Sequence, residues 1–281
     1  MSRFGTYPMV ISRLPISANR TNETMGQTVE QAIANNAGLE TGLDVSRVDQ
    51  VLLPLMQDIL TPLQKEFQFI EAIGSQNGKV DFKIDSGPLG QSAGTVSVKS
   101  TFRGDKVCPQ VIGQTTKERY MTHFNIAKNG NAELEIKRHF LSNPAMVCYQ
   151  MLQHLNCCDY IVYVSASLSK RPVVDRYLEH INICAERGLE IDPTHTLGNI
   201  AVKWFHRSML ENFQWNPDLF TFTKTLDTWN ESCTIRYNGN SIAEFQIHNH
   251  RNGTKFRFKM GALIELIQST SNIEDSRGES V

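Results

Sequence analysis

Residues 78–102, GKVDFKIDSGPLGQSAGTVSVKSTF, alternate apolar and polar side chains on both sides of a loop rich in Gly, Pro and Ser, a pattern that predicts a β-hairpin. With the turn centred near Gly90, Asp81 falls opposite Lys99 and Lys83 opposite Ser97. Side chains alternate along a strand, so Asp81, Lys83 and Asp85 share one face, and Ser97 and Lys99 share one face. A carboxylate, a hydroxyl and an ammonium are thereby gathered together. Metal-dependent phosphodiester cleavage is the chemistry such a face supports. A hard cation such as Mg2+ needs one or two carboxylates plus water and phosphate oxygens. It polarises the phosphate and activates a water, while a lysine orients that water or steadies the developing charge. The same residues also describe a half-solvated hairpin with ordinary surface charges.

One carboxylate is thin for this work, and the elements around the hairpin offer a second. Residues 22–35, NETMGQTVEQAIAN, place Met25, Val29, Ala32 and Ile33 at helical spacing after the possible caps Thr21 and Asn22. Glu30 sits mid-helix, where it can face either the hairpin or solvent. A second helical stretch is expected over 45–73, broken by Pro54 and Pro62. A strand is expected near 120–126, a helix over 145–155, a buried strand over 159–168 and a helix over 173–188. Residues 200–213 fit helix or strand. Together these elements make an α/β or α+β chain.

A second hairpin is expected near 241–260. Asn238-Gly239 and Asn252-Gly253 are two-residue turn signals. A turn at Asn252-Gly253 sets Phe245 opposite Met260 and Ile247 opposite Phe258 on an apolar face. Gln246 then faces Lys259, His248 faces Arg257, and His250 faces Lys255. A two-stranded ribbon of this kind fits the DNA major groove, where Arg or Lys to guanine and Gln to adenine are common contacts. Gln246, Arg257 and Lys259 are the leading base contacts on this reading. An amphipathic surface hairpin without a partner has the same pattern.

Lys and Arg number 28 against 29 Asp and Glu, a net charge of −1, which by itself argues against a non-specific nucleic-acid coat. By segment the picture changes. Residues 96–140 hold eight basic and four acidic residues, and 236–259 hold five basic residues against Glu244 alone. Two basic β segments in otherwise acidic surroundings suit a focused DNA cleft.

An Asp, a loop and then x-x-Lys on the next strand resembles the PD-(D/E)xK nucleases. The helix NETMGQTVEQAIAN, similar to that family's entry helix, and VKSTFRGDKVCPQVIGQTT, similar to the stretch that follows its catalytic lysine, bring the likeness closer to type II restriction endonucleases, particularly small four-base cutters such as MspI. It covers about 22–116. The resemblance implies a PD-(D/E)xK (restriction endonuclease-like) core, an α/β fold whose mixed β-sheet is flanked by helices. A single nuclease domain would span 1–270, with a tail over 271–281. Asp81 and Glu30 would hold Mg2+, Lys99 would serve the attacking water, and Lys106, Gln110 and Arg251 would join the DNA contacts. Ser97 stands where the family usually has Asp or Glu, although some members carry Asn or Gln. Serine is the weaker ligand, which makes Glu30 or Asp85 more necessary to the metal. The expected function is sequence-specific, Mg2+-dependent cleavage of double-stranded DNA. A repair or junction nuclease of the same fold, or a DNA-binding protein without catalysis, is the alternative.

No apolar run reaches the ~20 residues of a membrane span, and the N-terminal residues lack the pattern of a secretory signal. The six cysteines form no C-x-x-C pair and fit buried thiols of a reducing compartment. A cytoplasmic monomer or homodimer is expected. The basic segment SLSKRP, 167–172, reads as a turn, and Trp204, Phe205, Phe213 and Trp215 as core.

Overall fold

The computed structural model describes residues 4–278 apart from 9, 16–21, 74–79, 91, 103–104, 129, 156–157, 169–185, 187–194 and 212. The chain packs as two compact units, each built from two separate stretches. Met1–Gly104 joins Cys158–His206, and Asp105–Cys157 joins Arg207–Val281. The span read from sequence as one domain therefore contains two units.

The first stretch opens with strands β1 (Phe4–Thr6) and β2 (Val10–Pro15) and helix α1 (Asn22–Ala37). Met25, Val29, Ala32 and Ile33 are fully buried, as their helical spacing requires. Asp49 accepts the N–H groups of Val51 and Leu52 just before α2 (Leu53–Leu60), whose first turn tolerates Pro54. Pro62 precedes a short α3 (Leu63–Glu66). The helix expected to reach 73 stops there. Residues after Phe67 pair as a strand instead, β3 (Gln68–Ala72), against β4 (Phe82–Ser86), with Phe69 turned into the core. β5 (Ser92–Phe102) completes the stretch.

The second stretch holds β6 (Lys106–Val107), β7 (Gln114–Thr115), α4 (Lys117–His123), α5 (Ala132–Ser142) and α6 (Pro144–Leu155). The strand expected near 120–126 is largely the helix α4. Thr116 caps it by accepting the Arg119 N–H at 3.2 Å, and its buried side chains, Tyr120, Met121 and the following Phe124, fall at helical spacing. The third stretch gives β8 (Tyr160–Leu168) and β9 (His195–His206). The turn at 169–172 and the helix expected over 173–188, Glu186 apart, lie outside the described residues. The last stretch supplies α7 (Ser208–Glu211), β10 (Phe220–Phe222), β11 (Ser232–Tyr237), β12 (Asn240–Ile247), β13 (Thr254–Lys259) and α8 (Met260–Gly278). This last helix runs through most of the expected tail.

In the first unit the strand order is β1-β9-β8-β5-β4-β3, with β2 also on β9. β5 and β8 are parallel and the other pairs antiparallel, so the sheet is mixed. Helices α1–α3 cover one face, where Met25, Val29 and Leu60 meet Phe82, Val96, Val98 and Val162. Phe67 stands edge-on to Tyr160 and Trp204, with ring centroids 5.2 and 5.7 Å apart. Gly5 lies so close to Trp204 that a Cβ there would fall 2.1 Å from the indole nitrogen.

In the second unit the order is β10-β11-β12-β13-β6, with β7 also on β13. Phe140, Trp229, Phe245 and Phe256 form an aromatic core behind it. Asn238 and Gly239 take φ of 47° and 78° and join Tyr237 to its partner Asn240. This is the two-residue turn expected of Asn-Gly.

Candidate active site and polar sheet

The β4–β5 hairpin pairs Phe82 with Val96, Lys83 with Thr95 and Ser86 with Ser92. Its turn closes where the Gly90 N–H donates to the Gly87 carbonyl at 3.0 Å. The register thus differs by two residues from the expected one, and Asp81 stands beside Ser97 instead of Lys99. A shift of two leaves every side chain on its expected face.

β4 begins at Phe82, whereas β5 continues to Phe102 alongside β8. Asp81 occupies the point where the hairpin ladder ends. Its N–H donates to the Val96 carbonyl at 3.1 Å, and its carboxylate accepts the Val98 N–H at 2.6 Å and the Ser97 hydroxyl at 3.1 Å. The Lys99 ammonium donates to the Ser97 hydroxyl and lies 3.5 Å from the Val98 carbonyl oxygen. Ser97 is fully buried. These contacts form a chain from Lys99 through Ser97 to Asp81.

Glu30 is brought to the same place by α1, which packs on β5. Burial, and then the charge of Asp81, push its carboxyl up to about 8, with Lys99 partly opposing the shift. Two carboxyls this close resist ionising together. Asp85 is not part of the group. It is exposed on β4, four residues beyond Asp81 and so about 13 Å along the strand. Lys83 is likewise drawn away, to Glu71 at 2.7 Å.

Among the described residues no three His, Cys, Asp or Glu side chains converge to cage a metal. The oxygen donors at hand are Asp81, Glu30, the Ser97 hydroxyl and the Val98 carbonyl. Two supporting residues escaped the sequence reading. Asp159, just before β8, accepts the N–H and hydroxyl of Thr95, both at 2.8 Å, and pins β8 to β5. Tyr163 pairs with Lys99 across the parallel strands and bonds Thr101 at 3.0 Å. Alternation identifies each strand, but only the parallel pairing makes them neighbours.

In the second unit the C-terminal hairpin departs further from expectation. Phe245 pairs with Phe256, Gln246 with Lys255, and Glu244 with Arg257, a register four residues from the expected one. The connection spans 248–253, not two residues. Asn252 accepts the Lys117 N–H at 3.2 Å and donates to Glu118 at 2.6 Å, and Asn249 donates its N–H to Glu231 at 3.1 Å. These bonds hold a wide loop open. His248, His250 and Arg251 therefore lie in the loop, off the ladder. Burial and the neighbouring Arg251 hold His248 below its usual range.

Nor are β12 and β13 a free ribbon, since β11 flanks one side and β6 and β7 the other. Glu244, the lone acid of this basic segment, organises their polar face. It accepts from Lys106 at 2.5 Å, Ser232 at 2.6 Å, and Arg257 and Gln246 at 2.9 Å. Burial alone would raise its carboxyl. The bonds from Lys106 and Ser232 and the charge of Arg257 overcome that and hold it at about 2. Lys259 donates to Ser241 at 2.8 Å. The three residues expected to lead the base contacts, Gln246, Arg257 and Lys259, are thus bonded within the sheet. Gln110, between β6 and β7, donates its backbone N–H to His154 at 3.0 Å.

Among the described residues no helix is long and apolar enough to cross a membrane. No family model matches the chain, and no solved structure does. A curated protein, the Type II restriction enzyme CviAII of Paramecium bursaria Chlorella virus 1, is 27% identical to it over 166 residues. The match covers 58% of this chain and 38% of that protein, so the chain spans well under half of the relative's length. A type II restriction enzyme is therefore a distant homologue of this chain.

Proposed function

We propose that the chain is a type II restriction endonuclease that uses Mg2+ to hydrolyse phosphodiester bonds at a specific sequence of double-stranded DNA. The chain of bonds from Lys99 through Ser97 to Asp81, with Glu30 beside it, carries this reading. The distant restriction-enzyme homologue supports it.

Mg2+ suits the donors present. They are hard oxygens, and one or two carboxylates completed by water and phosphate oxygens are its common set. Glu30 and Asp81 would hold the ion, whose charge would offset the burial and the repulsion from Asp81 that raise the Glu30 carboxyl. When bound, Mg2+ polarises the phosphate and lowers the pKa of a coordinated water. Lys99 steadies negative charge developing on the phosphate or its nucleophile. Ser97 aims the lysine, and Asp81 fixes Ser97 while capping the Val98 amide.

Recognition falls to the polar face of β12 and β13. Gln246 and Lys255 stand opposite each other there, as types that read adenine and guanine in the major groove. Lys106, Arg257 and Lys259 reach DNA by exchanging their internal partners for phosphate or base atoms. His248, His250, Arg251 and Gln110 would add contacts from the loops.

Incubation with unmethylated phage DNA and Mg2+, followed by sequencing of the ends, tests the proposal. Discrete fragments sharing one end sequence support it, and uncut DNA or an unselective smear overturns it. Lys99→Ala should bind the same DNA and fail to cut it. Normal cutting by that variant removes Lys99 from its role.

A further inference from the structure

The strand pairings of the first unit align four side chains in one row across the sheet. Lys99 on β5 pairs with Tyr163 on β8, Tyr163 with Lys203 on β9, and Lys203 with Thr6 on β1. Residues in one cross-strand row share a face. Lys203 therefore stands on the Lys99 face, two strand spacings or about 10 Å away. Tyr163, between them, is buried and bonded to Thr101. Thr6, beyond Lys203, is exposed, so the row opens to solvent on the Lys203 side.

Lys203 is half-buried and, among the described residues, forms no ion pair. Lys83, Lys106, Lys117 and Lys137 each have a carboxylate within 4 Å. The face neighbours of Lys203 on β8 and β9 are Ile161, Tyr163, Ser165, Ala201 and Phe205, none of them acidic. A partly desolvated ammonium with no counter-ion among the described residues loses hydration and gains no carboxylate partner from them in return. An anion arriving from outside restores the balance.

The geometry points to Lys203 as a second phosphate-binding cation, which holds a non-scissile phosphate of the duplex a few nucleotides from the one at Lys99. This rests on the nuclease reading. Backbone phosphates recur every 3.4 Å of axis along a DNA strand, so a 10 Å separation on the protein spans a short run of them. Lys203 fixes where the strand lies, and Lys99 acts at the phosphate to be cut.

The test is equilibrium binding of a random-sequence duplex of about thirty base pairs without Mg2+, followed by anisotropy across a series of NaCl concentrations. Lys203→Ala should bind several-fold more weakly and lower the slope of log K against log salt by about 0.9. Lys203→Arg should keep the slope. Lys83→Ala, which removes a lysine already paired with Glu71, should also keep it. An unchanged slope in Lys203→Ala overturns this inference and leaves the nuclease reading standing. An equal loss in Lys203→Arg also overturns it, because charge is then not the cause. A wild-type chain that binds no duplex overturns both.

Discussion

Lys99 directs its ammonium at the Ser97 hydroxyl, and the same hydroxyl donates onward to Asp81 at 3.1 Å. A neutral, fully buried side chain therefore aims the Lys99 ammonium at the head of the hairpin. In Ser97→Ala the lysine loses that acceptor. Single-turnover cleavage should fall by about 10²-fold, the scale of one lost transition-state contact. Duplex affinity, measured alongside, should stay within about twofold.

Glu30 should make the metal requirement depend on pH. Its carboxyl titrates at about 8, so near pH 7 a cation must displace a proton to bind there. The Mg2+ concentration for half-maximal cleavage should fall between about pH 7 and pH 9 in the native chain. In Glu30→Gln it should be high and flat with pH.

The same group predicts an effect on stability with the opposite slope to that of an ordinary paired carboxylate. A folded-state pKa above the usual 4.5 gives a contribution fully present below 4.5 and lost as pH rises through about 8. Metal-free Glu30→Gln should therefore melt several degrees above the native chain at alkaline pH. The two should melt together near pH 4. Thermal denaturation followed by circular dichroism reads this directly.

Asp81 and Asp85 share a strand face, but only Asp81 joins the group around Lys99. Asp81→Asn should abolish cleavage. Asp85→Asn should leave the rate and the Mg2+ requirement within about twofold, since a carboxylate about 13 Å away cannot share the ion.

Glu244 should trade stability against DNA affinity. Its depressed pKa of about 2 gives stability present above 4.5 and lost as pH falls through about 2. Glu244→Gln at neutral pH leaves the part-buried Arg257 and the exposed Lys106 without their carboxylate, at a cost of about 1 kcal/mol. It also frees Lys106 and Arg257. The variant should melt lower yet bind non-specific duplex more tightly, with a steeper salt dependence.

Much of this site was legible because strand faces depend on parity. The Asp81–Lys99 hairpin was read two residues out of register, and the C-terminal hairpin four, yet both shifts are even and kept polar with polar. The spacing of Met25, Val29, Ala32 and Ile33 marked the buried face of α1 but left Glu30 facing either the hairpin or solvent. The family resemblance assigned it to the metal, and the packing of α1 on β5 brings it there. Loop anchoring was not legible. Asn252 is a turn residue by composition, but its bonds to Lys117 and Glu118 widen the loop and remove His248 and His250 from the ladder. The partner of Arg257 was hidden by the shifted register of its own hairpin, and that of Lys106 because β6 joins β13 from far away in sequence. Its isolation among basic residues was the available signal. β3 and α4 were misread where short apolar runs fit either period and pairing or capping decided between them.

β5 and β8 lie side by side in parallel, yet the chain between them, Asp105–Cys157, belongs to the other unit. Neither unit can then be excised as one continuous fragment. A truncation after Cys157 retains Glu30, Asp81, Ser97 and Lys99 but lacks β8 and β9. It leaves β5 as a long open edge, a template for association with other chains. The parts proposed to cleave and to read DNA are consequently not interchangeable cassettes. Retargeting by domain exchange would require several junctions at once, whereas side-chain substitution within β12 and β13 leaves the threading intact.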